Sequence, residues 1–259
     1  MLGQKALKLA REHMKIDVGG SILHVEVDGP ADSPAILQYS SGGTTLRIWD
    51  IVVPKITERY RSIRLDMRGA GQSTPATDPL QYSFHQFIDD TNTVLDTLGV
   101  DKCHLWNMAF GSRIGLAFAA TNSDRVISAC LNDLSVEKAD PQAQRDGHVK
   151  AMELQDAAGI ERSPTPSGIA EHAYPDQVSL VSGANSTGAF DLKAAIPKLT
   201  MPVLIVTGDC DPNLPSSRDI VAQAPNARLV ELENVGHGSV LQRPDLTTDL
   251  FLEFISSLD

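Results

Sequence analysis

Long apolar runs are missing from this chain of 259 residues: no stretch approaches the ~18 consecutive apolar positions of a membrane span. Nor does an apolar block lead into a small-residue cleavage site near the start, which argues against a secretory signal. Met1 to Met14 instead sets Lys5, Lys8 and Arg11 among Leu2, Ala6, Leu7, Leu9 and Ala10, the pattern of a short amphipathic helix. Basic charge is scarce. With 22 Lys and Arg against 33 Asp and Glu, the net charge is −11, which argues against nucleic acid or an anionic membrane as partner. Cysteine is scarcer still: Cys103, Cys130 and Cys210 are odd in number, widely spaced and without a C-x-x-C. They fit a reducing, cytoplasmic setting and small buried side chains better than a disulfide framework, and Cys210 is expected to be one of these despite its place near a loop of chemical interest. No P-loop or metal-ligand cluster is present, and Gly69-Ala70-Gly71 is too short and wrongly placed for a dinucleotide fingerprint. The chain is therefore expected to use no cofactor and no metal, with a small molecule as its partner; nothing in it specifies an oligomeric state.

What the chain does contain is alternation of strand and helix patterns. Met14–Val18 and Ile22–Val27 flank Gly19-Gly20, a hairpin signal. Strands are predicted at Ala35–Tyr39, Ser62–Asp66, Cys103 onward, Arg125–Leu131, Pro202–Thr207 and Ala227–Leu232. Helical spacing covers Ile48–Arg61, Phe84–Leu98, the stretch after Phe110 and Leu246–Leu258. This alternation predicts an α/β fold, a mainly parallel sheet covered by helices on both faces. Residues 140–199 are richer in polar residues, Ala, Gly and Pro, with helical patches such as Val149–Ala158 and no convincing strand. They read as a small helical cap inserted into a core formed by 1–139 and 200–259.

Cys103 to Ala117 reads as a strand, a sharp turn and a helix. That is the layout of the G-x-S-x-G nucleophile elbow, with Asn107, Met108, Ala109, Phe110 and Gly111 at the five positions. Three more blocks follow predicted strands in order: Ser40-Ser41-Gly42-Gly43, Asp66 through Ser73, and Gly208-Asp209-Cys210-Asp211 with Gly236-His237. On these four blocks the chain resembles the α/β-hydrolase superfamily over nearly its whole length, and Ser40 to Asp50 looks most like the 3-oxoadipate enol-lactonase group.

The resemblance implies roles. His237, in a glycine-flanked loop, is the base, and Asp211 is the acid that fixes its tautomer. Asp133, after the Arg125–Leu131 strand, is the alternative acid, because some members of the superfamily place it there. In cofactor-free dioxygenases of this fold a His–Asp pair of that kind supports proton abstraction. The oxyanion hole falls to the backbone N–H of Phe110 and of Gly42, or of Ser41 if the register is displaced by one. Ser40, which departs from the His-Gly of most relatives, and Met108 are candidate substrate contacts. Asp66 through Ser73 reads as structural, with Arg68 satisfying buried backbone or a carboxylate. His24 and His104 lie in strand patterns and read as structural; His148 and His172 lie in the cap without a decided role.

Ala109 stands where the pattern requires a nucleophile, and an alanine methyl cannot attack a carbonyl. Ser112, one turn into the helix, is no substitute. Three readings stay open: an enzyme whose His237 acts as general base on water or on an acidic proton, hydrolytically or in lyase- or oxygenase-like fashion; an engineered serine knockout; or a binding protein without turnover. The leading expectation is a hydrolase-type enzyme acting on a small, uncharged or weakly polar carbonyl compound, an ester, lactone or diketone.

Overall fold

The computed structural model describes residues 11–181 and 190–258. Its centre is one sheet of eight strands: β1 Glu12–Asp17, β2 Ile22–Asp28, β3 Ala35–Tyr39, β4 Arg61–Leu65, β5 Cys103–Met108, β6 Val126–Asn132, β7 Val203–Gly208 and β8 Ala227–Leu232. The spatial order is β1-β2-β4-β3-β5-β6-β7-β8. β2 runs antiparallel to both of its neighbours, and every other pair is parallel. The hairpin between β1 and β2 turns on Gly19 and Gly20, both at positive φ, as a tight two-residue loop requires.

Five longer helices accompany the sheet: α1 Phe84–Thr97, α2 Phe110–Thr121, α3 Pro141–Ala157, α4 Leu214–Gln223 and α5 Pro244–Ser256. The central strands are apolar at nearly every position because both faces are covered, and successive residues serve opposite faces. Leu37, Leu105 and Ile205 join the core beneath α1 and α2, with Phe87, Val94, Ile114 and Phe118. Their neighbours Ile36, Trp106 and Leu204 join a second core with Trp49 and, from α5, Phe251, Phe254 and Ile255. Trp106 stacks on Phe251 at 4.4 Å between ring centroids. Both are fully buried, so truncating either to alanine costs about 3–5 kcal/mol.

Three local expectations change. Of the N-terminal helix expected over Met1 to Met14, residues 1–10 lie outside the described residues, and Glu12–Met14 belong to β1, paired with Val25–Val27. The helix expected over Ile48–Arg61 is two short pieces, a 3-10 turn at Leu46–Trp49 and four helical residues at Val53–Ile56, and Arg61 already starts β4. Pro54 explains the break, since it has no N–H to carry a helix through from Trp49. The patch at Val149–Ala158 is the second half of α3, which starts at Pro141 under an Asp140 cap accepting from Gln142 N and Ala143 N at 3.1 and 3.0 Å. The polar run Gln142–Asp146 has no apolar periodicity to reveal that first half.

Between β6 and β7 the described residues form helices and turns and no strand; 182–189 lie outside them. This segment is tied to the core through Thr45, whose N–H donates to Ile169 O and whose hydroxyl donates to Gly168 O, each at 2.9 Å. The block after β4 is structural, as expected: Arg68 is buried and donates from Nε to Asp90 Oδ2 at 2.8 Å, and Asp66 accepts from Leu46 N and Gln72 N.

Candidate active site

The loops that follow β3, β5, β6, β7 and β8 meet at one edge of the sheet, where open α/β sheets hold their ligands. The turn from β5 into α2 pivots on Ala109, at φ 52° and ψ −116°. A non-glycine residue there carries strain of about 1–3 kcal/mol. The turn is held by Ala109 N–H donating to Asn132 O at 2.9 Å and by Ala109 O accepting from Ser112 N at 3.0 Å. Asn107, where the elbow pattern has glycine, is fully buried; its Oδ1 accepts from Tyr39 N at 2.8 Å while its Nδ2 finds no partner among the described residues. The Ser112 hydroxyl is turned away and donates to Asn132 O at 2.8 Å.

His237 follows β8. Its neighbour Gly236 is packed so closely against α3 that a Cβ there would lie 2.8 Å from His148 Cα. His237 Nδ1 lies 3.0 Å from Asp211 Oδ2, and Asp211 Oδ1 accepts from Asn213 N at 2.9 Å. Asp133 does not take that bond. It sits at φ 53° at the end of β6, with Oδ2 accepting from Gly238 N, Ser239 N and Ser239 Oγ at 3.1, 2.8 and 3.1 Å. Its Oδ1 is buried with no partner among the described residues.

The two acids and the imidazole form one electrostatic unit. Burial, and then the charge of Asp211, push the Asp133 carboxyl up to about 7, partly offset by His237. For His237, burial acts to lower the pKa, but the hydrogen bond to Asp211 and the charges of Asp133 and Asp211 outweigh it and the net direction is upward. Arg113 opposes that rise.

A cavity of about 350 Å³ opens beside Ala109 and is lined by Ser41, Gly42, Phe110, Arg113, Asn213 and His237, with Pro141 and Gln144 from α3. The two oxyanion-hole alternatives are distinct here. Ser41 N–H is engaged by Thr44 Oγ1 at 2.9 Å, whereas Gly42 N–H meets no partner among the described residues. Phe110 N–H donates to Ser41 Oγ over a long 3.3 Å.

Two candidate substrate contacts lie away from the cavity. Ser40 is fully buried and its hydroxyl accepts from Met67 N, and Met108 packs into the second core beside Trp106; neither lines the cavity. The reason is strand geometry, which sends Met108 to the sheet face opposite the elbow helix. His24 is buried against Asp66, and His104 against Ser128. His148 is exposed and borders an open groove that also reaches His237, while His172 Nδ1 accepts from Gly71 N. The Cys210 thiol is raised by burial and by Asp209, so it is not a ready thiolate.

Among the described residues, two groups of side chains have donor atoms within 4.8 Å of one another, Asp133–Asp211–His237 and His13–His24–Glu26. In the first, three of the four carboxylate oxygens already bind protein donors; in the second, Arg47 and Arg64 already pair with Glu26. Neither arrangement calls for a metal.

Arg113, Asn213 and Gln144 escape the motif reading. Arg113 had a signal, since it stands four residues after Ala109 and thus on the same helix face.

The chain is similar to known proteins of this fold. The chain is 25% identical over 258 residues to RutD of Stutzerimonas stutzeri (strain A1501), provisionally named a carbamate hydrolase, covering 90% of this chain and 97% of that protein. Its counterpart in Caulobacter segnis is 28% identical over 256 residues, covering 89% and 95%. Among solved structures, the enol-lactonase of Burkholderia xenovorans LB400 superposes with a TM-score of 0.76 at 24% identity, covering 95% of this chain and all of that one. A 2-hydroxy-6-oxo-6-phenylhexa-2,4-dienoate hydrolase from Rhodococcus sp. strain RHA1 also reaches 0.76, at 18% identity and 96% coverage of this chain. Residues 34–173, more than half of the chain, match the model of the alpha/beta hydrolase fold, and the chain belongs to that family.

Proposed function

We propose that this chain is a hydrolytic enzyme that adds water, in place of a side-chain nucleophile, to the carbonyl of a small organic substrate. The observation that carries the reading is the His237–Asp211 contact at 3.0 Å opening on the same cavity as Ala109 and Phe110. Nδ1 is held by Asp211, which leaves Nε2 as the working nitrogen. In the reaction, Nε2 takes a proton from water, and the water oxygen bonds to the carbonyl carbon as the C=O electron pair moves onto oxygen. The tetrahedral oxyanion then accepts from the Phe110 and Gly42 N–H groups, donors worth roughly 3 kcal/mol each where charge develops. The long bond from Phe110 N–H to Ser41 Oγ is readily exchanged for this stronger acceptor. Collapse reforms C=O, breaks the bond to the leaving heteroatom, and returns the proton from Nε2 to that atom.

Both oxyanion donors are backbone groups, so neither depends on a serine side chain. The names of the relatives, a carbamate hydrolase and an enol-lactonase, describe cleavage of this bond class. The described residues of the 140–199 segment serve as the cap, with Pro141 and Gln144 closing one wall. No cofactor enters.

The test is hydrolysis of an activated short-chain ester by the chain and by His237→Ala. Turnover by the unaltered chain, lost by about 10²-fold or more in the variant, is expected of a general base. Full turnover in His237→Ala overturns the reading.

A further inference from the structure

Arg113 lies one turn beyond Ala109, its backbone N–H donating to Ala109 O at 3.3 Å. Arg113 is only 8% exposed and lines the cavity. A guanidinium carries five donors. Nη2 donates to the backbone carbonyl of Glu137, and among the described residues no carboxylate pairs with the group. The Glu137 carboxylate is turned to Lys193 at 2.7 Å. The other deeply buried arginines are neutralised directly, Arg64 by Glu26, Asp28 and Asp50, and Arg68 by Asp90. Nε and Nη1 of Arg113 meet no hydrogen-bond partner among the described residues, and the residue lines the cavity.

The Glu137 charge offsets the burial of Arg113 only through space and is already paired with Lys193, so an anion that enters the cavity and bonds the guanidinium directly recovers part of the cost of burying it. We propose that Arg113 anchors a carboxylate of the substrate. The substrate is then a small acyl derivative, an ester, lactone or carbamate, with an anionic end on Arg113 and its scissile carbonyl between His237 and the Phe110 N–H. Arg113 lines the same cavity as Phe110 and His237, so carboxylate and carbonyl belong to one small molecule. This replaces the expectation of an uncharged substrate. The chain's net charge of −11 repels anions at long range, so selection of an anion falls to this local contact. The assignment rests on the cavity being the substrate site, but its test needs no turnover and so fails separately from the hydrolytic reading.

The probes are 4-oxopentanoate and its neutral isostere 4-oxopentanamide, each titrated calorimetrically into the full chain, into Arg113→Gln and into Arg113→Lys. Charge-assisted bonds to a buried guanidinium predict that the carboxylate binds about tenfold or more tightly than the amide. Arg113→Gln brings the ratio to near one, and Arg113→Lys, with a single point charge, restores part of it. Unchanged far-ultraviolet circular dichroism and Tm separate recognition from a merely structural bond to Glu137. Equal affinity for the two probes, absence of saturable carboxylate binding, or a preference that survives in folded Arg113→Gln overturns the proposal.

Discussion

The Nδ1 of His237 and the Oδ2 of Asp211 meet at 3.0 Å, and a second carboxylate, Asp133, stands beside them without sharing the bond. The two acids are therefore separable by substitution. Asp211→Asn is expected to lower turnover by about 10³–10⁴-fold through loss of the correct tautomer. Asp133→Asn keeps an acceptor for the Gly238 and Ser239 N–H groups and leaves most activity. It removes a charge that raises His237, so the rise of rate with pH moves toward acid. Parallel pH–rate profiles of the two variants check this.

Asp133 also makes stability depend on pH. Its folded-state carboxyl is raised by burial to about 7, so the native chain holds a proton that the unfolded chain has released above its ordinary value. Stability from this group is greatest at low pH and falls as pH rises through about 7, by about 1–3 kcal/mol. Urea melts from pH 5 to 8 are expected to be flatter in Asp133→Asn. Equal slopes in the two proteins would refute the assignment.

Ala109→Ser restores an oxygen at an elbow whose backbone already has the required shape. With His237 and the Phe110 N–H at the same cavity, the variant is expected to form a covalent adduct with a fluorophosphonate, visible as a mass shift, while the unaltered chain forms none. An unlabelled variant would mean that His237 cannot reach the elbow.

Two residues of the elbow affect stability in opposite directions. Ala109→Gly relieves a positive φ and is expected to stabilise by about 1 kcal/mol. Asn107→Gly leaves Tyr39 N–H without its acceptor and opens space beside Gly115, a loss of about 2–4 kcal/mol. Thermal melts of both variants measure the two signs.

Much was legible in the chain itself, because strands, helices and caps are local events. The alternation of apolar runs foretold every strand of the sheet, and the Gly19-Gly20 pair foretold its hairpin. Pro54 was equally legible as a break, yet the apolar spacing from Ile48 concealed it; conversely, the polar start of α3 offered no spacing to read. The missing nucleophile is also a property of sequence alone, since no packing supplies an oxygen to an alanine. Tertiary structure decided the rest. Which carboxylate meets His237, whether Ser41 or Gly42 keeps a free N–H, that Ser40 and Met108 turn into the core, and that Arg113, unlike Arg64 and Arg68, forms no salt bridge among the described residues all depend on groups far apart along the chain. Their distances and burial are set by the order of strands in the sheet, and no local pattern carries that information.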